Sequence, residues 1–237
     1  MGTSGPFTGN LFAWFDAAAT NTLFQDNAGA TPVTADAQSV GKWNDRSGNG
    51  NHVTQATGGA KPTYKVAIQS GKPALLYDTG DYLDSVATLA NFPTTIVGVA
   101  KNGSTTGTQR GLVSAYHSIL GGLRVYMDAA NTLTGSVGLV EVTKANTNKT
   151  IAAGTPVLFG VQADSGNVYT VSDGTVVAAV SLALTTSQIV RVGGTNDNNT
   201  SNLLDGYLCE VLIYTALLNA AELATTVAYL DQKWAVY

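Results

Sequence analysis

The chain has 237 residues, a net charge of −4, and 12% charged against 44% hydrophobic residues, enough apolar material for one sizeable core. Its 12 Lys and Arg residues are scattered rather than clustered, which argues against nucleic acid and anionic membranes as direct partners. No apolar run is long enough to cross a bilayer, so no membrane insertion is expected, and a single cysteine, Cys209, excludes an intrachain disulfide.

In chain order, the first stretch is "MGTSGPFTGN", residues 1–10, rich in Gly, Thr and Ser. It lacks a basic start followed by an apolar run, so it does not read as a secretion signal. It reads as a flexible arm ahead of one domain, 11–237. Short apolar runs then alternate with turn residues to the end of the chain. "LFAWF" (11–15), "ALLY" (74–77), "TTIVGVA" (94–100), "GLVSAYH" (111–117), "LRVYM" (123–127) and "TLTGSVGL" (132–139) read as strands. So do "PVLFGVQ" (156–162), "NVYTVS" (167–172), "TVVAAVSL" (175–182), "IVRVGG" (189–194) and "GYLCEVLIY" (206–214). They are rich in β-branched and aromatic residues and bounded by Gly, Asn, Asp or Ser, the pattern of an all-β sandwich or barrel.

The stretch 156–182 predicts a three-strand meander. Val157, Phe159 and Val161 share one face, "DSGN" turns the chain, and Asp173-Gly174 makes a second, two-residue turn. One helix is predicted near 219–234. Asn219 and Glu222 form a capping box, and Leu223, Val227, Leu230 and Trp234 form an apolar stripe that docks on a sheet. Cys209, inside "GYLCEVLIY", reads as a buried small hydrophobe.

Catalytic signals are sparse. The glutamates are Glu141, in a polar loop, Glu210, and Glu222 of the helix cap. A retaining glycosidase needs two carboxylates about 5 Å apart, and the residues two positions either side of Glu210 are Leu208 and Leu212. Glu210 therefore reads as facing a structural partner on a neighbouring element. His52 reads as a loop residue and His117 as a strand end. No G-x-S-x-G, H-E-x-x-H, C-x-x-C or Walker motif is present. The expectation is a protein without a catalytic centre.

The loop "WNDRSGNGNH", Trp43 to His52, sets one large aromatic before many short oxygen-bearing side chains. Asp45, Ser47 and Asn49 alternate, and Gly50 follows, as at the start of an EF-hand. The twelfth position, which needs a bidentate Glu, is Ala56. Two readings stand. Asp45 with Ser47, Asn49 or Asn51 would hold a structural calcium ion if Asp16, Asp78 or Asp81 came near. Alternatively, these side chains bond their own backbone in Asx- and ST-turns.

Four stretches together resemble the laminin-G-like, concanavalin-A-like jellyroll family. They are "LFAWFDAAATNTLF", "VGKWNDRSGNGNHVTQAT" followed by "KPTYK", "PALLYDTGDYL", and "LLDGYLCEVLIYTALLNAAELATTVAYLDQKW". The resemblance covers nearly the whole chain. It implies an all-β, two-sheet antiparallel jellyroll sandwich with one short C-terminal helix, in which Trp43 is tucked inward. Members of the family serve as carbohydrate binders, adhesion modules, enzyme appendages and virion surface proteins, so fold alone does not choose among them. The "LFAWFDAA…WNDRSGNGN" flavour resembles phage structural proteins. It implies a non-catalytic virion surface protein, a head decoration or a tail-fibre or receptor-binding part, that contacts capsid or tail proteins and cell-surface glycan as a homo-oligomer, with a trimer favoured. The competing expectation is a carbohydrate-binding module of a secreted protein. That reading needs exposed aromatic faces. Trp14 and Trp43 lie in strand contexts and Trp234 on the helix stripe, which leaves Tyr64, Tyr77, Tyr82, Tyr116 and Tyr126.

Overall fold

In a computed structural model, the described residues are 5–89, 94–103, 109–117, 121–137, 143–164, 167–172, 175–181, 188–195 and 202–237. Their strands are β1 (Leu11–Asp16), β2 (Leu23–Phe24), β3 (Lys42–Trp43), β4 (Val53–Thr54), β5 (Thr63–Gln69), β6 (Lys72–Tyr77), β7 (Leu83–Leu89), β8 (Thr94–Asn102) and β9 (Arg110–His117). There follow β10 (Gly121–Met127), β11 (Thr132–Val137), β12 (Thr143–Thr150), β13 (Pro156–Ala163), β14 (Asn167–Ser172), β15 (Thr175–Ser181), β16 (Gln188–Val192), β17 (Gly206–Tyr214) and the helix α1 (Ala220–Trp234).

Two antiparallel sheets form. The first has the order β15-β14-β13-β8-β17-β6-β5, with β1 also paired to β17; the second runs β12-β11-β10-β9-β16-β7-β4-β3-β2. One strand, β17, serves two neighbours on the same side: Gly206–Leu208 pair with β6, and Glu210–Tyr214 pair with β1. The sandwich core lies between the sheets and takes Phe15, Trp43, Leu83, Val113, Phe159, Val161, Val211 and Ile213. A second apolar cluster covers the outer face of the first sheet, where Val97, Val99, Leu158, Leu212 and Tyr214 meet Leu223, Leu230 and Trp234 of α1.

Each of the eleven strands read from apolar runs is present, as is the β13-β14-β15 meander. The Asp173-Gly174 turn lies outside the described residues, as do Glu141 and the His117 side chain. The helix begins as read: the Asn219 side chain accepts from the Ala221 and Glu222 backbone, and Glu222 accepts from the Asn219 N–H, closing the capping box. Trp43, Trp234 and Cys209 are buried.

Six further strands carry no such run. The pairs β2, β3 and β4 are two residues long, and β12, "TKANTNKT", holds no large apolar side chain. The hairpin β5-β6 turns at Ser70 and Gly71, both at positive φ, the conformation a two-residue primed turn requires. In β7, Ser85 points inward while Val86 points to solvent, so hydropathy does not follow the pleat.

The stretch expected as an arm is anchored from Pro6 onward. Pro6 is buried. The Phe7 ring stacks on Tyr214 at 6.3 Å, and the Tyr214 hydroxyl donates to the Phe7 carbonyl. The Thr215 N–H donates to Asn10.

Candidate functional site

The loop after Trp43 is built onto β1. Trp43 is fully buried, with its ring 5.6 Å from Phe15. Gly48 and Gly50 both sit at positive φ, which lets the chain reverse twice within a few residues. Asp45 is the hub. Its Oδ1 accepts from the Trp14 and Ser47 N–H groups at 2.8 Å each, and its Oδ2 from Ser47 Oγ at 2.7 Å and Asn51 N at 3.1 Å. Asn49 Nδ2 donates to the Leu11 carbonyl at 2.6 Å, and Asn51 Nδ2 to that of Phe12 at 2.7 Å. His52 Nδ1 accepts from the Asp45 N–H at 3.0 Å, which requires a neutral ring at that nitrogen. Burial accordingly lowers its pKa, with Lys42 acting the same way and Asp45 opposing.

Asp45, Ser47, Asn49 and Asn51 thus come together as their alternation predicts. Their oxygens and amides are turned to backbone and hydroxyl partners, the geometry of Asx- and ST-turns. A calcium ion prefers several carboxylate and carbonyl oxygens and would have to displace donors from Asp45 to bind. Asp16 is committed elsewhere, and Asp78 and Asp81 bond within their own turn. Among the described residues no three His, Cys, Asp or Glu side chains gather as a metal cluster.

The more chemical site lies beside this loop, on the helix side of the first sheet. Ala13 and Phe15 of β1 point into the sandwich core, so Trp14 and Asp16 point outward. Asp16 pairs in register with Glu210 of β17. A bulge between Leu208 and Glu210 breaks the strand's alternation and presents Glu210 to α1. Glu210 has no exposed surface. Its Oε1 accepts from Trp14 Nε1 at 2.6 Å and the Tyr229 hydroxyl at 2.8 Å, its Oε2 from Lys233 Nζ and Trp234 Nε1 at 2.7 Å each. Lys233 Nζ also lies 2.7 Å from Asp16 Oδ1, and Arg46 pairs with Asp16 Oδ2.

Glu210 thus has the structural partners expected for it. The second carboxylate, absent at alternate positions of its own strand, arrives from β1 instead. Burial and the charge of Asp16 push the Glu210 carboxyl up from its ordinary value, while Lys233 and Trp234 pull it down. Burial likewise pushes the Tyr229 hydroxyl up, with Glu210 adding to it.

Above this hub opens a cleft of about 380 Å³, lined by Trp14, Asp16, Arg46, Lys72, Tyr229, Gln232 and Lys233. The Arg46 guanidinium lies 4.2 Å from the Trp14 ring centroid, and the edge of Tyr229 meets the same indole at 6.2 Å. Lys72 stands at the start of β6, held beside the helix end because Gln69 Nε2 and Ser70 Oγ donate to the Trp234 carbonyl. Of these lining residues the sequence singled out Asp16, as a candidate calcium partner of Asp45, and none as a ligand-binding group of this cleft. Trp14 had one available signal: alternation with Phe15 across β1 sends it to the opposite face.

The tyrosines expected as sugar platforms are placed differently. Tyr64, Tyr77 and Tyr126 are buried. Tyr82 lies under Arg191, whose guanidinium is 3.9 Å from the ring and bonds both oxygens of Asp84. The Tyr116 side chain lies outside the described residues.

No protein-family model and no curated protein matches the sequence. Solved structures do share the fold. Domain 4 of AbnA, an extracellular GH43 arabinanase from Geobacillus stearothermophilus in complex with arabinotriose, superposes with a TM-score of 0.64 at 12% identity, covering 92% of this chain and 98% of that one. A heptameric SAP-like pentraxin from Limulus polyphemus has a TM-score of 0.51 at 13% identity, covering 62% and 75%. Trypanosoma rangeli sialidase in complex with sialic acid has a TM-score of 0.58 at 10% identity, covering 94% of this chain and 33% of the sialidase. At such identities the likeness is one of fold, and the fold is the concanavalin-like jellyroll sandwich.

Proposed function

We propose that this domain is a non-catalytic glycan-binding module whose binding site is the cleft between β1, the loop after Trp43 and the C-terminal half of α1. The carrying observation is the pairing of a half-buried indole with fixed hydrogen-bonding groups around one open cleft. Sugar rings stack on flat apolar faces, and convergent polar groups orient them. The two adjacent carboxylates do not speak for hydrolysis. Glu210 accepts four hydrogen bonds and touches no solvent, and both Asp16 oxygens are ion-paired, so neither is free to donate a proton to, or attack, a glycosidic bond. Two neighbours in fold, an arabinanase domain in complex with arabinotriose and a sialidase in complex with sialic acid, support this reading.

Isothermal titration of the full chain against a panel of oligosaccharides tests the proposal. Saturable binding without release of reducing ends supports it. Hydrolysis of any panel member would overturn the non-catalytic part.

For the setting in which the module works we infer a phage virion surface, with capsid or tail proteins as neighbours and a homo-oligomer, a trimer favoured, as the working unit. This reading rests on the sequence resemblance and on Val86 and Ile189, exposed on neighbouring strands of the second sheet's outer face, where a subunit contact would cover them. Weak contacts repeated across such a surface become strong through effective concentration. Mass spectrometry of purified particles and light scattering of the isolated chain test it. A strict monomer that is absent from particles would favour a secreted module.

A further inference from the structure

We propose that the cleft selects a glycan carrying an anionic substituent; this rests on the glycan-binding reading above. The protein carries a net charge of −4, yet three cations, Arg46, Lys72 and Lys233, line the cleft against one lining carboxylate, Asp16, and the buried Glu210 beneath. Lys233 is shared between those two carboxylates, and Arg46 completes the neutralisation of Asp16.

Lys72 is the cation left over: it has no acidic partner among the described residues. Arg46 reaches Asp16 through Nη1 alone, so among the described residues the other nitrogens of its guanidinium fork have no protein acceptor. Its central carbon lies 4.2 Å from the Trp14 ring centroid, so the fork is stacked against the indole. A guanidinium held between Asp16 and Trp14, with Lys72 lining the same cleft, presents donors that an oxyanion on a sugar ring completes with charge-assisted hydrogen bonds. The ring itself would meet the exposed part of Trp14 and the Gln232 amide. A neutral sugar would leave the Lys72 charge uncompensated, so the site discriminates by charge.

The test is titration of the full chain, followed by tryptophan fluorescence. Trp43 and Trp234 are fully buried, so quenching on binding reports Trp14. Two arms separate the sources of negative charge: oligogalacturonate against its methyl ester for a carboxylate, and dextran sulfate against dextran for a sulfate. In at least one arm the charged ligand binds about tenfold tighter than its neutral counterpart, since a hydrogen bond to a charged group is lost in the latter. That preference shrinks with added salt, disappears in Lys72→Gln, and names the anion. The melting temperature of Lys72→Gln stays at the parental value, which separates lost selection from lost folding. Equal affinity for charged and neutral ligands in both arms overturns the anionic inference and leaves the glycan reading standing. No binding of any of the four ligands, together with a silent oligosaccharide panel, overturns both.

Discussion

Asp45 and Glu210 are both buried carboxylates that accept four hydrogen bonds, yet their donors have different origins. Three of the four groups bonded to Asp45 are backbone N–H groups, and three of the four come from within six residues. Every group bonded to Glu210 is a side chain, supplied by Trp14 of β1 and by Tyr229, Lys233 and Trp234 of α1. The first carboxylate organises a loop and depends little on which side chains surround it. The second ties a strand, its neighbour and a helix together and depends on all of them. A third, Asp81, sharpens the contrast, because among the described residues its carboxylate accepts from the Asp78 N–H alone and burial, with the charge of Asp78, pushes it up to about 6.

The largest effect is expected at Glu210. Glu210→Ala leaves Lys233 and two indole N–H groups without their buried acceptor, and urea unfolding should record a loss of about 3–5 kcal/mol. Trp43→Ala, which opens a cavity under the Asp45 loop, should match it at about 3–5 kcal/mol. A loss below about 1 kcal/mol at either position would mean that the side chain is not buried as described.

A smaller loss, about 2–3 kcal/mol, is expected for Asp45→Ala, because the freed N–H groups lie nearer solvent and water can replace part of what they lose. If Asp45 proved as costly as Glu210, local backbone donors would be no easier to satisfy than distant side chains. Removing residues 1–10 uncovers Tyr214 and should cost about 1–2 kcal/mol. An unchanged denaturation midpoint would return that segment to the status of a free arm.

The pH dependence separates Asp81 from the other two. Its pKa is raised from 3.8 to about 6 in the folded protein, so the native state holds the proton more tightly than the unfolded chain does. Its contribution is therefore full below about pH 4 and declines as pH rises towards 6. Asp81→Asn should flatten that part of the stability profile, and an unaltered slope would show that another group titrates there. The smallest expected effect is from calcium. With the Asp45 oxygens already occupied by protein donors, melting curves in EDTA and in excess Ca²⁺ should superimpose. A higher midpoint in Ca²⁺ would mean that the ion displaces those donors.

Much of the fold was legible from hydropathy. Strands such as β13 and β17 bury branched side chains in long runs, and α1 announces itself by a capping box and an apolar stripe. The strands that escaped notice are those whose pairing is decided by neighbours: β3 and β4 are two residues each, and polar β12 lies at the edge of its sheet. The candidate site was legible only in part. The gathering of Asp45, Ser47, Asn49 and Asn51 follows from their spacing, and the partners of Glu210 on neighbouring elements were expected because Leu208 and Leu212 flank it on its own strand. The partnership of Asp16 with Glu210 did not, because 194 positions of sequence separate two residues that pair directly across strands, and the bulge that turns Glu210 toward α1 leaves no mark in local composition.

By itself the sequence determined the class of fold, the places where the eleven apolar strands and the helix α1 form, and the turn chemistry of the loop after Trp43. These depend on side-chain periodicity and on bonds between residues a few positions apart. Tertiary structure alone decided which carboxylates meet, which tryptophan stays half-exposed and which cations line the cleft beside it. Those outcomes depend on strand register and on where a helix docks, and register is set by packing across the whole sandwich rather than by any one segment.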